Sequence, residues 1–86
     1  MPNVKWTNKA QKQLRNIDSG DIEHVYEEGN ALKNFPNVKK DIKALKGKGR
    51  KYRLRVGNYR LIFAWVKGDP VIIQIQAVLR RTSRTY

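Results

Sequence analysis

Residues 51–63 read KYRLRVGNYRLIF and alternate between apolar and polar side chains on both sides of Gly57 and Asn58. This pattern predicts a β-hairpin with Gly57-Asn58 as its two-residue turn, so that Val56 faces Tyr59 across the ladder. Because side chains alternate along a strand, one face of the hairpin is then apolar. That face contains Tyr52, Leu54, Val56, Tyr59, Leu61 and Phe63. We expect it to pack against the rest of the chain.

The opposite face of the predicted hairpin is cationic. It carries Arg53, Arg55 and Arg60, and the predicted register puts Arg55 directly opposite Arg60. Like charges that face each other across a ladder destabilise a sheet. The arrangement therefore indicates that the fold holds an anion at this face.

The N-terminal part of the chain is predicted to contain a short strand at residues 3–6 and two helices. Thr7 is placed to be the N-cap of the first helix, and residues 18–21 are expected to end it and to cap the second. The apolar side of the first helix contains Ala10, Leu14 and Ile17. The apolar side of the second contains Ile22, Val25, Tyr26, Gly29 and Leu32. Both sides need a partner, which the downstream sheet can supply.

The C-terminal part is predicted to add a basic loop and a third long strand. Gly47 and Gly49 predict that residues 46–51 form a flexible loop. Residues 71–79 favour a strand, and its pairing with residues 59–66 would put Arg80 on the face of the hairpin arginines. The order of elements predicts a single α+β domain over residues 1–86, with the N-terminal strand and helical hairpin packed on one face of a small antiparallel sheet.

The net charge of +12 is confined to the second part of the chain. Residues 1–37 contain five basic and five acidic side chains, whereas residues 38–86 contain 14 basic and two acidic ones. Such a distribution is typical of a surface that binds a polyanion. Nucleic acid is the favoured partner, with an acidic protein or a membrane surface as the alternatives.

The composition excludes several kinds of site. The chain has no cysteine and one histidine, so neither a metal site nor a redox site is predicted, and no cofactor is expected. A P-loop is excluded because the glycines around Lys48 lack its spacing. The sequence contains neither a signal peptide nor a membrane-spanning segment, which favours a cytoplasmic protein without a membrane partner.

The remaining chemistry is that of guanidinium groups and aromatic hydroxyls. Arginine binds phosphate in a bidentate manner and stabilises the charge that develops on a reacting phosphorus atom. Tyrosine stacks on unpaired bases. This set is compatible with metal-independent RNA cleavage, in which the 2′-hydroxyl of the substrate is the nucleophile. Composition alone does not distinguish cleavage from binding.

Residues 52–63 resemble the central hairpin of the RelE/ParE toxin superfamily, and the spacing from Arg80 to Tyr86 and the Leu45-Lys46-Gly47 segment resemble its RelE branch. The resemblance implies a RelE-like fold, similar to microbial RNases. It also implies a toxin of a type II toxin–antitoxin system that cleaves mRNA on the ribosome and leaves a 2′,3′-cyclic phosphate. A cognate antitoxin would neutralise it in a hetero-oligomer.

The resemblance also implies roles for individual residues. Arg60 would stabilise the scissile phosphate, Arg80 would contact phosphate or protonate the 5′-oxygen, and Tyr86 would stack on a base. Arg53 and Arg55 stand where RelE carries lysines, one of which activates the 2′-hydroxyl. Further RNA contacts are expected from Lys46, Lys48, Arg50, Lys51, Arg81 and Arg84.

The two arginines at lysine positions leave the general base open. Arginine remains protonated at neutral pH and is a poor base, so proton removal would fall to Lys51, Tyr86 or ribosomal RNA. Two other functions are compatible with the same fold. One is poisoning of DNA gyrase, as in the ParE branch, and the other is RNA or ribosome binding without catalysis. We expect a nuclease to gather Arg55, Arg60, Arg80 and Tyr86 on one face of the sheet.

Overall fold

The structure, a computed structural model, describes residues 3–47 and 49–80. One strand, two helices and then four strands follow one another along the chain: β1 (Asn3–Trp6), α1 (Asn8–Arg15), α2 (Ile22–Asn30), β2 (Ile42–Ala44), β3 (Lys51–Val56), β4 (Tyr59–Val66) and β5 (Ile72–Arg80). The five strands form one sheet in the order β1-β5-β4-β3-β2, in which β1 runs parallel to β5 and the other neighbours are antiparallel. The predicted α+β architecture is confirmed. Neither α1 nor α2 is long and apolar enough to span a membrane.

The central hairpin has the predicted register. Val56 pairs with Tyr59 and Arg55 pairs with Arg60. Of the two turn residues, only Gly57 has a positive φ, 56°, which is the pattern of a type II′ turn with glycine in its first position. The turn chemistry and the alternation of side chains therefore fix this part of the fold locally.

Phe63 lies at the centre of the core, which the apolar face of the hairpin forms with the helices. Its side chain is completely buried, and its ring lies 5.4 Å from the rings of both Phe35 and Tyr52. The helices contribute Leu14 and Val25 to the same cluster. The predicted apolar face is thus the one that α1 and α2 cover.

The start of α1 is as predicted, but the cap of α2 is not. The Thr7 hydroxyl accepts a hydrogen bond from the Ala10 amide at 3.1 Å and caps α1. Neither Asp18 nor Asp21 makes a side-chain cap for the 3₁₀ turn at Ser19–Asp21 or for α2. The Asp21 carboxylate instead accepts a hydrogen bond from the Tyr59 hydroxyl at 2.9 Å. Asp21 thus bonds to a residue that is distant in the sequence instead of capping the helix that follows it.

One strand of the sheet is not predicted by the sequence. Residues 42–44 form β2, which pairs with β3 so that Lys43 faces Arg53. The local sequence is dominated by lysines, and only Ile42 is a strong strand former. Pairing with the edge of β3, rather than local preference, makes this segment a strand.

A register irregularity in β5 changes which face its last residues occupy. Ile62 pairs with Ala77 and Phe63 pairs with Ile75, so Gln76 is an extra residue opposite β4. One extra residue moves every following side chain to the other face of a sheet. The alternation expected from the sequence is therefore wrong beyond Gln76.

Gly29 of α2 is required by its contact with Trp6. A Cβ atom at Gly29 would lie 2.6 Å from Cζ2 of Trp6. The indole cannot move away easily, because its ring nitrogen donates to Asn30 at 2.9 Å and its ring stacks on Tyr26. The glycine lets α2 approach β1 closely.

We expect Gly29→Ala to destabilise the fold by about 1–3 kcal/mol through overpacking. At a helix position without such a contact, the same change would stabilise the fold by about 1 kcal/mol, because alanine favours a helix more than glycine does. Overpacking and helix propensity therefore predict changes of opposite sign in the free energy of unfolding. Gly20→Ala is the control, because nothing lies within 4 Å of a Cβ at Gly20. Urea denaturation measures both variants. A Gly29→Ala protein more stable than the wild type would contradict the assigned contact.

Candidate functional site

Three arginines of the hairpin lie on the face of the sheet that the helices leave uncovered. Arg53 and Arg55 alternate with the buried Leu54 on β3, and Arg60 lies beside Arg55 on β4. We call the surface formed by Arg53, Arg55 and Arg60 the arginine face. Their common placement on one face is the arrangement that the sequence predicted.

A carboxylate of the chain, next to the sheet, acts as a counter-ion to the arginine face. Asp41, just before β2, accepts a hydrogen bond from Nη2 of Arg53 at 3.2 Å, and its second oxygen lies 3.9 Å from Nη1 of Arg55. The Arg55 amide donates to the Asp41 carbonyl at 3.0 Å and holds the two segments in register. The repulsion between Arg55 and Arg60 is therefore offset in part by a carboxylate of the chain itself.

The hydrogen-bonding capacity of the arginine face is only partly used. The Nε atoms of Arg53 and Arg60 are buried and have no partner among the described residues. Within the same residues, no carboxylate lies in salt-bridge distance of Arg60. Among the described residues, Asp41 pairs with Arg53 and Arg55 and no carboxylate pairs with Arg60, which leaves an excess of positive charge and of donors for a bound anion.

Two lysines extend the arginine face. Lys43 pairs with Arg53 across β2 and β3, and Lys51 lies on the same face by the alternation along β3. Lys51 is among the candidate site residues that the sequence predicts, and Lys43 is not. The alternation of Ile42, Lys43 and Ala44 was the available signal, and it was too short to predict a strand.

The predicted placement of Arg80 beside the other arginines is wrong. Arg80 pairs with the buried Tyr59, so it lies on the helix side of the sheet. Its Nη2 donates to Asp18 at 2.7 Å and to the Tyr59 hydroxyl at 3.3 Å. The cause is the extra residue Gln76, which reverses the alternation of β5 before its end.

The Arg80 contacts join the end of β5 to the segment between the helices. Hydrogen bonding to the Tyr59 hydroxyl raises the pKa of Arg80 above its ordinary value, and the nearby charge of Asp18 adds to the effect. Both Arg80 and Asp18 are more than half exposed, and such ion pairs contribute little to stability. An anion arriving from solvent can therefore compete with Asp18 for Arg80.

The remaining predicted RNA contacts lie in several places. Arg50 packs its guanidinium over the Trp65 ring at 5.2 Å, on the helix side of the sheet, and not on the arginine face. Lys46 lies in an exposed turn that the Leu45 amide closes by donating to the Lys51 carbonyl at 2.9 Å. Four predicted positions lie outside the described residues, namely Lys48, Arg81, Arg84 and Tyr86.

Most of the chain, including the hairpin and the helix pair, matches the model of a known family. The family model described as "ParE toxin of type II toxin-antitoxin system, parDE" matches residues 4–84. The chain belongs to the RelE/ParE toxin superfamily. It is therefore a toxin of the type II toxin–antitoxin class, as the resemblance of residues 52–63 implied.

Similar proteins point to the RelE branch. A curated protein of Methanocaldococcus jannaschii, provisionally named toxin RelE1, is 32% identical over 81 residues, which cover 92% of this chain and 89% of that protein. The RelE–RelB complex of Pyrococcus horikoshii OT3 has a TM-score of 0.75 at 26% identity, covering 96% of this chain and 98% of the other. The RelB–RelE complex of Methanococcus jannaschii has a TM-score of 0.69 at 32% identity, covering 91% of each chain. These similarities confirm the RelE-like assignment and the fold.

Proposed function

We propose that this toxin is a ribosome-dependent endoribonuclease that cleaves mRNA without a metal ion and thereby inhibits translation. The observation that carries the proposal is the arginine face, where three guanidinium groups lie on one open side of a sheet. Among the described residues, Asp41 pairs with two of them, Arg53 and Arg55, and Arg60 has no carboxylate partner. A strand face of this kind can lie along an extended polyanion. The RelE-like sequence supplies the reaction class.

The proposed reaction is attack of the RNA 2′-hydroxyl on the adjacent phosphorus. The products are a 2′,3′-cyclic phosphate and a 5′-hydroxyl. Arg60 is proposed to bind the scissile phosphate, with Arg55 directly opposite it as a second cationic contact. Guanidinium donors held in place before the reaction stabilise the negative charge that grows on the phosphate oxygens. We assign Arg53 to positioning, since it is tied to Asp41.

The other proposed RNA contacts surround this centre. Lys43 and Lys51 would bind neighbouring phosphates on the arginine face, and the basic loop would contact the backbone without reading the sequence. Arg80 would reach RNA only by leaving Asp18, at the end of the sheet next to Tyr59. By resemblance, Tyr86 would stack on a base, and Arg81 and Arg84 would add phosphate contacts.

The proposed neutralising partner is a cognate antitoxin of the RelB type. The similar toxins of Pyrococcus horikoshii OT3 and Methanococcus jannaschii were each solved in complex with RelB. An acidic or amphipathic segment of the antitoxin would cover the arginine face of this chain, because that face has excess positive charge. The neutralised form would be a toxin–antitoxin hetero-oligomer.

Primer extension on mRNA from a translating extract tests the proposed activity. Addition of the purified toxin should produce new 5′ ends within translated codons, because the reaction depends on the ribosome. The same mRNA without ribosomes should stay largely intact. Absence of new 5′ ends in the translating extract would reject the proposed nuclease.

Poisoning of DNA gyrase is the second candidate function. It is favoured by the description of the matching family model and by Arg80, which lies away from the arginine face. A gyrase poison has no requirement for clustered arginines. Covalent gyrase–DNA adducts after toxin addition, together with intact mRNA, would establish this function instead.

A further inference from the structure

The two carboxylate oxygens of Asp41 have different surroundings. Oδ1 accepts a hydrogen bond from Arg53 at 3.2 Å. Oδ2 lies 3.9 Å from Nη1 of Arg55, which is an ion-pair distance but too long for a hydrogen bond. The Asp41 side chain is 54% exposed. One oxygen is thus fixed by the protein, while the other keeps lone pairs that a ligand on the arginine face can reach.

The position of Asp41 is set by the backbone. Ile42 pairs with Leu54 at the end of the ladder between β2 and β3, and the Arg55 amide donates to the Asp41 carbonyl. The carboxylate is therefore held beside Arg53 and Arg55 by sheet pairing as well as by charge. A group held in this way is already oriented before substrate binds.

Asp41 is the one carboxylate on the arginine face among the described residues. The other charged side chains that β2, β3 and β4 place there are Arg53, Arg55, Arg60, Lys43 and Lys51. At neutral pH, arginines and lysines are ordinarily protonated, whereas an aspartate is ionised and can accept a proton. Within the described part of the face, the carboxylate is the side chain whose chemistry suits it to accept a proton.

We propose that Asp41 is the general base of the cleavage reaction, an inference that rests on the proposed ribonuclease function. The 2′-hydroxyl transfers its proton to Oδ2 of Asp41 as the 2′-oxygen forms a bond to phosphorus. The bond from phosphorus to the 5′-oxygen breaks, and the 5′-oxygen takes a proton from water. Asp41 then returns its proton to solvent, so the protein ends unchanged.

This assignment accounts for the arginines at the two lysine positions. Arg53 and Arg55 are poor bases, but both can orient a carboxylate that is itself a base. Arg55 lies between Asp41 and Arg60, which is proposed to bind the scissile phosphate. A scissile phosphate that contacts both Arg60 and Arg55 would bring the adjacent 2′-hydroxyl to the side of Arg55 on which Asp41 lies.

Asp41→Asn tests the inference, with Asp69→Asn as the matched control. Asp69 is the other acid of residues 38–86 and lies in the exposed turn between β4 and β5, so its replacement removes the same charge elsewhere. Single-turnover cleavage is measured on ribosomes programmed with one mRNA. Affinity is measured with the same ribosomes carrying an mRNA with a 2′-O-methyl group at the cleaved nucleotide.

Asp41→Asn is expected to lower the cleavage rate by at least about 100-fold, the usual contribution of a general base. Its affinity for the methylated complex should be equal or tighter, since a negative charge next to RNA is lost. Asp41→Glu, which keeps the carboxylate, should retain measurable cleavage, and Asp69→Asn should cleave at the wild-type rate.

Two results would overturn the role of Asp41 while leaving the nuclease function intact. Cleavage by Asp41→Asn at the rate of Asp69→Asn would make Asp41 a counter-ion only. Loss of affinity in both Asp41→Asn and Asp41→Glu, with unchanged thermal unfolding, would make it a residue that positions the arginines. A wild-type toxin that leaves the programmed mRNA intact would instead reject the proposed function, and this inference with it.

Discussion

Replacing Arg60 with alanine is expected to lower mRNA cleavage by about 100- to 1000-fold, the effect of removing one donor that stabilises a developing oxyanion. Arg60 faces Arg55 across the hairpin and has no carboxylate within salt-bridge distance among the described residues. Its guanidinium is thus the member of the arginine face most available to a phosphate. Cells that express the variant without antitoxin should grow, and primer extension should show few new 5′ ends.

The fold should tolerate this change. Arg60→Ala removes a like charge opposite Arg55, and the side chain lies outside the buried core, so the free energy of unfolding should change by no more than about 1 kcal/mol. Lys67→Ala is the control, because it removes one positive charge at an exposed position just after β4. Full toxicity of Arg60→Ala would show that the site has been assigned wrongly. Equal losses in both variants would indicate a general effect of charge.

Replacing Phe63 with alanine is expected to destabilise the fold by about 3–5 kcal/mol. Phe63 is completely buried and contacts the rings of both Phe35 and Tyr52, so its removal leaves a cavity between the hairpin and the helix side of the chain. Small domains have a total stability of about 5–15 kcal/mol, so this one change removes a large share of it. Urea denaturation gives the free energy, provided that its slope with denaturant is unchanged.

Val66→Ala is the matched control on the same strand. Val66 is 43% exposed, and its truncation should cost no more than about 0.5 kcal/mol. Performing both changes in the Arg60→Ala background would allow expression without antitoxin. A Phe63→Ala protein as stable as Val66→Ala would mean that the core is not organised around the hairpin.

The hairpin and its two faces could be predicted from sequence because their causes are local. Gly57 provides the turn, and alternation along β3 and β4 separates the buried Leu54 from the exposed Arg55. The cap of α1 could be predicted for the same reason, because Thr7 accepts its hydrogen bond from the nearby Ala10 amide. The roles of Tyr86 and of the tail arginines stay predictions, because they lie outside the described residues.

The sequence by itself determined the α+β class, the register of the central hairpin and the common face of Arg53, Arg55 and Arg60. Each of these follows from the two-residue period of a strand or from a turn residue next to it. Only the tertiary structure decided the positions of Asp41 and Arg80. Asp41 meets Arg53 because β2 pairs with β3, and Arg80 lies on the helix side because β5 gains one residue against β4. The positions of Asp41 and Arg80 both depend on how strands pair with each other, and the side-chain alternation within a single strand does not reveal that pairing.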